Sequence, residues 1–242
     1  MFTRLLQAAR ASGSARLPSL CAICRGWGTR RVCEACLQRF AAAVPRCRRC
    51  ALQVPAGAEV CGACLTDPPP YARTLAAVEY DHPWDGLVTN FKFHAALDLA
   101  PALAERMLAA LRHSDTPMPT LLLPIPLSDA RLRERGYNQA WELTKRLGAA
   151  LHCMTDARLL LRVKDTPHQL AFPPGQRAGN VRGAFAIEPR RIGELRGRSV
   201  TLVDDVMTTG ATVAEATRVV LQAGASEVGV WVVARTSRHD AP

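Results

Sequence analysis

The sequence predicts an α/β domain with a largely parallel sheet, preceded by a small cysteine-rich module. Three observations carry this expectation. Four Cys-x-x-Cys pairs crowd into residues 21–64. From Tyr71 onward, short apolar runs alternate with stretches of helical periodicity, as when strands buried on both faces alternate with helices. One of these runs ends in two adjacent carboxylates and a small glycine-bearing loop, where ligands sit in such sheets.

Residues 1–18 read as a lead-in. Met1 to Leu20 carry Arg4, Arg10 and Arg16 and no acid. Their apolar stretch is too short and too interrupted for a secretory signal, which leaves a transit peptide or a short frayed segment, the latter preferred. No apolar run approaches the ~20 residues of a membrane helix, so no membrane insertion is expected.

Residues 19–68 form the cysteine module. The pairs are Cys21/Cys24, Cys33/Cys36, Cys47/Cys50 and Cys61/Cys64. One tight Cys-x-x-Cys turn brings two thiolates to the same ion, and two turns complete a tetrahedral four-cysteine zinc site. Four pairs therefore predict two structural Zn2+ ions. A disulfide framework would need an export signal, and a thioredoxin-like centre would use one pair after a strand. Sequential pairing closes the shortest loops, placing Cys21, Cys24, Cys33 and Cys36 on one ion and Cys47, Cys50, Cys61 and Cys64 on the other. An interleaved pairing stays open. The core is small without metal, so folding should depend on it. Cys153 stands alone in a helix-like stretch and reads as a buried small apolar residue.

The chain's net charge of +10 is uneven. Residues 1–66 hold ten Arg and only two acids, Glu34 and Glu59. Such a concentration points to a polyanion, nucleic acid above all, with Arg46, Arg48 and Arg49 as candidates and Trp27 and Phe40 available for stacking. Arginine as an ordinary surface residue is the alternative.

Pro68-Pro69-Pro70 reads as a stiff boundary. The second domain, 71–242, has expected strands at Leu75–Val78, Leu121–Ile125, Leu159–Leu161, Val200–Val203 and Val228–Val233, and helices near 97–112, 138–151 and 211–223. In the last helix Val213, Ala216, Val220 and Ala223 share a face, and Gly224 supplies the stop.

The strand Val200–Val203 leads into Asp204 and Asp205, then Met207, Thr208, Thr209, Gly210, Ala211 and Thr212. Backbone N–H groups at a helix start form an anion site, and Gly210 lets the chain approach a phosphate closely. The carboxylates would instead meet sugar hydroxyls or a metal. The sequence suggests no buried partner for either. An N-capped helix with two solvated Asp is the bland alternative, and no Gly-Lys-Ser/Thr follows to make a Walker loop. The stretch from Arg162 to Asn180 is polar and aperiodic, as a mobile lid would be.

The cysteine module, Leu123-Pro124-Ile125-Pro126-Leu127, Arg131 to Gln139, Asn180 to Phe185 and the Val203–Thr212 loop together resemble the ComF family of competence-associated proteins. The resemblance covers nearly the whole chain from Cys21. It implies a double zinc ribbon fused to a type I phosphoribosyltransferase-like domain, in cytoplasmic handling of imported single-stranded DNA during natural transformation. By that resemblance Asp204 and Asp205 hold the ribose hydroxyls of phosphoribosyl pyrophosphate carried with Mg2+. Met207 to Thr212 surround its 5′-phosphate, and Pro124-Ile125-Pro126 begins the pyrophosphate loop. Arg133, Arg135, Arg162, Lys164 and Arg177 are candidate cations for the pyrophosphate or the lid. DNA-uptake or processing proteins are implied partners.

Two functions remain open at this level. The chain is a phosphoribosyltransferase on an unidentified acceptor, or it is a DNA-handling protein whose pocket senses or retains a phosphoribosyl ligand. The phosphate grip is legible, whereas no stretch announces an acceptor site.

Overall fold

The computed structural model describes residues 18–164 and 182–237. The expected leader, apart from its last residue, Arg177 and nearly all of the expected lid lie outside them. The chain divides into two compact units between Phe40 and Ala41. The division thus falls between the two cysteine groups, not at the proline run.

In the first unit, β1 (Ser19–Leu20) pairs antiparallel with β2 (Trp27–Gly28), and α1 (Glu34–Phe40) follows. Glu34 lies in its first turn and Arg39 in its last, each matching the helix dipole.

The second unit opens with the other cysteine group and α2 (Gly62–Thr66). The two groups repeat one backbone design. Arg25 and Ala51, each directly after the first Cys-x-x-Cys, have φ of 61° and 57°. Their N–H groups donate to Cys21 O and Cys47 O, closing matching turns.

The central sheet then builds up in order. After β3 (Arg73–Glu79) come α3 (Trp84–Phe93) and α4 (Ala100–Arg112), then β4 (Leu121–Pro124), α5 (Asp129–Arg135), α6 (Gln139–Leu151) and β5 (Met154–Thr155). A small antiparallel pair, β6 (Leu160–Arg162) and β7 (Phe185–Ile187), intervenes. The chain returns to the sheet with β8 (Ser199–Met207), α7 (Ala211–Gln222) and β9 (Glu227–Arg235). All five strands of the sheet run parallel, in the order β3-β9-β8-β4-β5. Leu202, Val203, Val230 and Val232 in its middle are fully buried, as continuous apolar runs require.

Several expectations need correction. Leu159–Leu161 does not join the main sheet. Asp156 accepts hydrogen bonds from the Arg158 and Leu159 N–H groups, turning the chain out of the line of β5. The sheet's edge is instead β5, too short for its periodicity to show. Helix α3 was not foreseen, although Trp84, Leu87, Val88 and Phe91 are all buried at helical spacing. Cys153 lies in the turn after α6, not within a helix, and is half-buried with its thiol 3.3 Å from the Pro119 carbonyl. In α7, Val213, Ala216 and Val220 are buried as expected, and Gly224 ends it with φ of 99°.

Candidate functional site

The sheet order itself locates a crevice. From β4 the chain passes through α5 and α6 to β5 on one side, and from β8 it passes through α7 to β9 on the other. The connections leave two neighbouring strands in opposite directions, so a cleft opens beyond their carboxyl ends.

The acidic pair lies there. Pairing between β4 and β8 stops at Pro124 and Val203, whereas β8 continues beside β9 to Met207 and Arg235. Asp204 to Met207 therefore overhang the end of β4, bonded on one side only. Strand β8 does not end at the carboxylates, as the sequence suggested, but carries them past its shorter neighbour. The Pro124-Ile125-Pro126 turn starts at that step. Asn138 fixes it by donating from its side-chain amide to Ile125 O at 3.1 Å, while its Oδ1 caps α6. Ser128 caps α5 in the same way.

The two carboxylates have different surroundings. Asp205 is 1% exposed and pairs with Lys92 of α3, whose Nζ donates to Oδ1 at 3.3 Å and lies 3.0 Å from Oδ2. Oδ2 is buried and has no partner in hydrogen-bond geometry among the described residues. Burial raises the Asp205 pKa, but the Lys92 charge together with hydrogen bonds from Asp204, Lys92 and the Val206 N–H outweighs it and holds the group below the usual carboxylate range. Asp204 is partly exposed. Burial, and then the neighbouring Asp205 charge, push its pKa well above the ordinary value. A cation or hydroxyl donors brought to Asp204 would offset this crowding.

Lys92 is the site residue that sequence reading missed. Its signal was a lone cation between Phe91 and Phe93 in an unrecognised helix. Arg135 is brought close to it: its guanidinium stacks over Phe93 at 5.0 Å, and its charge is felt at Lys92. Arg133 is exposed on α5. Arg162 and Lys164 are engaged by the β6–β7 hairpin, Arg162 over the Phe185 ring and Lys164 on Arg182 O. The Gly183 N–H donates to Glu215 of α7 at 2.7 Å, so the chain re-emerges from residues 165–181 beside the helix that follows the loop.

The loop ends at Gly210, which opens α7 without a side-chain cap. Its φ is +82°, and a Cβ there would stand 2.9 Å from the Tyr71 hydroxyl and from Met207 Cε. Only glycine suits this close, left-handed turn. Thr209 accepts from the Ala211 N–H. Thr208 to Ala211 form one side of a cleft of about 450 Å³, and Cys50, Cys64 and Asp67 to Tyr71 form another.

The cysteines gather into the two sequential groups, each with its four sulfurs within 4.8 Å of one another. Cys21–Cys36, Cys24–Cys33 and Cys50–Cys61 are 3.9, 3.7 and 3.6 Å apart. Four thiolates around one Zn2+ would lie about 3.8 Å apart. Burial opposes ionisation of Cys21, yet N–H donors, including Cys33 N, bring its pKa down to about 6. Burial and the adjoining cysteines push Cys36 up to about 12. Four ionised thiols need a cation among them, and the donor set fits zinc.

The arginines proposed for nucleic acid differ from one another. Arg46 pairs with Glu79 at 2.6 Å and donates to Ala51 O. Arg48 is exposed and only loosely paired with Glu59, and Arg49 is partly exposed. Trp27 is 77% exposed.

A parallel sheet whose switch-point crevice holds an acidic overhang and an uncapped glycine loop defines a phosphoribosyltransferase-type domain. Residues 97–241 match the phosphoribosyl transferase domain family. The chain is 34% identical over 230 residues to the DNA utilization protein YhgH of Salmonella typhi, covering 91% of this chain and 98% of that protein. It is 31% identical to Competence protein F of Haemophilus influenzae, covering 89% and 96%. The adenine phosphoribosyltransferase structure from Leishmania tarentolae aligns with 69% of this chain and 92% of that one at 15% identity, with a TM-score of 0.40. The chain belongs to the ComF family of phosphoribosyltransferase-domain proteins. No helix among the described residues is long and apolar enough to cross a membrane.

Proposed function

We propose that this protein binds phosphoribosyl pyrophosphate with Mg2+ in the β4–β8 crevice and works in the cytoplasm on single-stranded DNA taken up during natural transformation. The observation that carries the first part is the overhang of Asp204 and Asp205 beside the uncapped start of α7. N–H groups and the helix dipole suit a 5′-phosphate, and an ionised Asp204 suits ribose hydroxyls. Mg2+ would supply positive charge to the pyrophosphate. Asp205, locked on Lys92, orients the pair. The names of the relatives, with their references to DNA utilization and competence, support the second part.

Arg135 beside Lys92 favours transfer over mere retention, because a departing pyrophosphate needs cations at the crevice. The acceptor would then be a nucleophile not named by these residues.

Calorimetry with phosphoribosyl pyrophosphate and Mg2+ tests the binding. Asp204→Asn removes one charged hydrogen-bond acceptor, worth about 1.5–3 kcal/mol, so affinity should fall at least roughly tenfold with little change in melting. Equal binding by wild type and variant, or none by wild type, would refute it. Pyrophosphate release measured with and without single-stranded DNA separates transfer from retention.

A further inference from the structure

The second cysteine group is tied into the wall of the phosphate loop. Three consecutive carbonyls of its first turn face the sheet. Arg48 O accepts from Thr74 N at 2.9 Å, Arg49 O from Thr74 Oγ1 at 2.6 Å, and Cys50 O from Arg235 Nε at 2.9 Å. Ala51, next in line, packs in the main core with Tyr71 and Met207.

Arg235 ends β9 and is only 5% exposed. Its Nε holds the cysteine turn, while its Nη1 donates to Met207 O at 2.9 Å and to Thr208 O. One buried guanidinium thus spans the cysteine turn and the first residues of the phosphate loop. Tyr71 makes a second link, since its hydroxyl lies against Gly210.

The turn presents these carbonyls outward while its own Arg49 and Cys50 N–H groups, with Cys61 N of the second turn at 3.3 Å, donate to Cys47 Sγ. If the turn opens, Cys50 O leaves Arg235. A buried guanidinium deprived of one acceptor must find another or shift, and its Nη1 bonds to Met207 O, Thr208 O and Thr236 O are disturbed with it.

We propose that Arg235 is a positioning residue that makes the phosphate loop depend on metal held by Cys47, Cys50, Cys61 and Cys64. Metal on Cys21, Cys24, Cys33 and Cys36, in the other compact unit, does not set the loop. The second cysteine site is therefore part of the phosphate-binding machinery. The consequence for affinity rests on the phosphoribosyl reading; the coupling itself does not.

The experiment uses the full chain. Cys61→Ser with Cys64→Ser removes the second site, Cys33→Ser with Cys36→Ser removes the first, and Arg235→Lys keeps both sites but cannot span all the carbonyls. Zinc per chain is counted, and amide exchange of residues 207–212 is followed without ligand. Second-site loss and Arg235→Lys should each speed exchange in that loop at least about tenfold, with two zinc ions retained in Arg235→Lys. First-site loss should leave the loop unchanged. Affinity for phosphoribosyl pyrophosphate should fall in the same two variants. Unchanged loop exchange in Arg235→Lys would overturn the proposal, and so would equal acceleration by loss of either site. If the second-site variant does not fold, the Arg235→Lys result decides alone. Absence of ligand binding by wild type would refute the phosphoribosyl reading and leave the exchange result to judge the coupling.

Discussion

The Lys92 ammonium lies 3.0 Å from the Asp205 carboxylate, joining α3 to β8 across 113 positions of sequence. The carboxylate is 1% exposed and the lysine side chain 28%. This pair explains how an acid can sit at the buried end of a sheet and stay ionised. It also gives Asp205 a buried partner that the sequence did not suggest. Asp205→Asn should therefore lower stability as well as affinity, unlike Asp204→Asn.

Removing the cation should be costlier still. Lys92→Met leaves Asp205 buried without its counter-charge, and breaking such a pair costs about 3 kcal/mol. The Asp205 pKa is lowered by folding, so the pair's contribution is present above the unfolded value of 3.8 and is lost as pH falls through the folded value. Thermal melts of wild type and Lys92→Met should differ most near neutrality and converge in acid.

Asp204 has the opposite sign. Its folded pKa is raised, so the folded chain holds a proton that the unfolded chain has released, and its ionisation weakens the fold as pH rises through that window. A ligand that needs the ionised carboxylate should displace this proton. Calorimetry of phosphoribosyl pyrophosphate binding in two buffers of different ionisation enthalpy should show proton release. The release should shrink in Asp204→Asn, which controls for the ligand's own titration.

Elemental analysis of protein purified without chelator should find two zinc ions per chain, because the sulfurs gather into two groups of four. Cys21→Ser should remove one ion and leave the other. A wild-type count near one would assign one group another role, and a count near zero would remove metal from the account.

For single-stranded DNA, residues 19–68 should supply most of the affinity. Arg48→Gln with Arg49→Gln should weaken binding alike for all sequences. The salt slope should fall by about 0.7 for each phosphate that the variant no longer neutralises. Arg46→Gln should instead lower the melting temperature, since Arg46 is held by Glu79 and Ala51 O. Equal affinity in the double arginine variant would place the interface elsewhere.

Gly210→Ala should destabilise by more than about 1 kcal/mol, because alanine resists the +82° φ and its methyl meets the Tyr71 hydroxyl. Tyr71→Phe removes one of the two steric clashes. Melts of the double variant should recover part of the loss, while the backbone strain persists. Strict additivity would show that the clash with the hydroxyl carries no energy.

The sequence by itself determined the features built from local spacing. Two Cys-x-x-Cys turns reach one ion because their geometry is set within a few residues; loop entropy favoured sequential pairing but left an interleaved one open until the sulfurs were seen to gather. The β8 run, the Gly210 turn and the buried stripe of α7 are legible because strand period, left-handed φ and helical period are local properties. Helix α3 was equally local and overlooked, its spacing masked by polar residues and by two adjoining aromatics. Tertiary structure alone decided which distant groups meet. Nothing near Asp205 announces Lys92, and nothing in Cys47–Cys50 announces that its carbonyls face Thr74 and Arg235. The overhang of Asp204 depends on where β4 stops, which is fixed by register between strands about 80 residues apart. Such pairings depend on chain crossings and shared burial, and the sheet order supplies them only once the whole domain has closed.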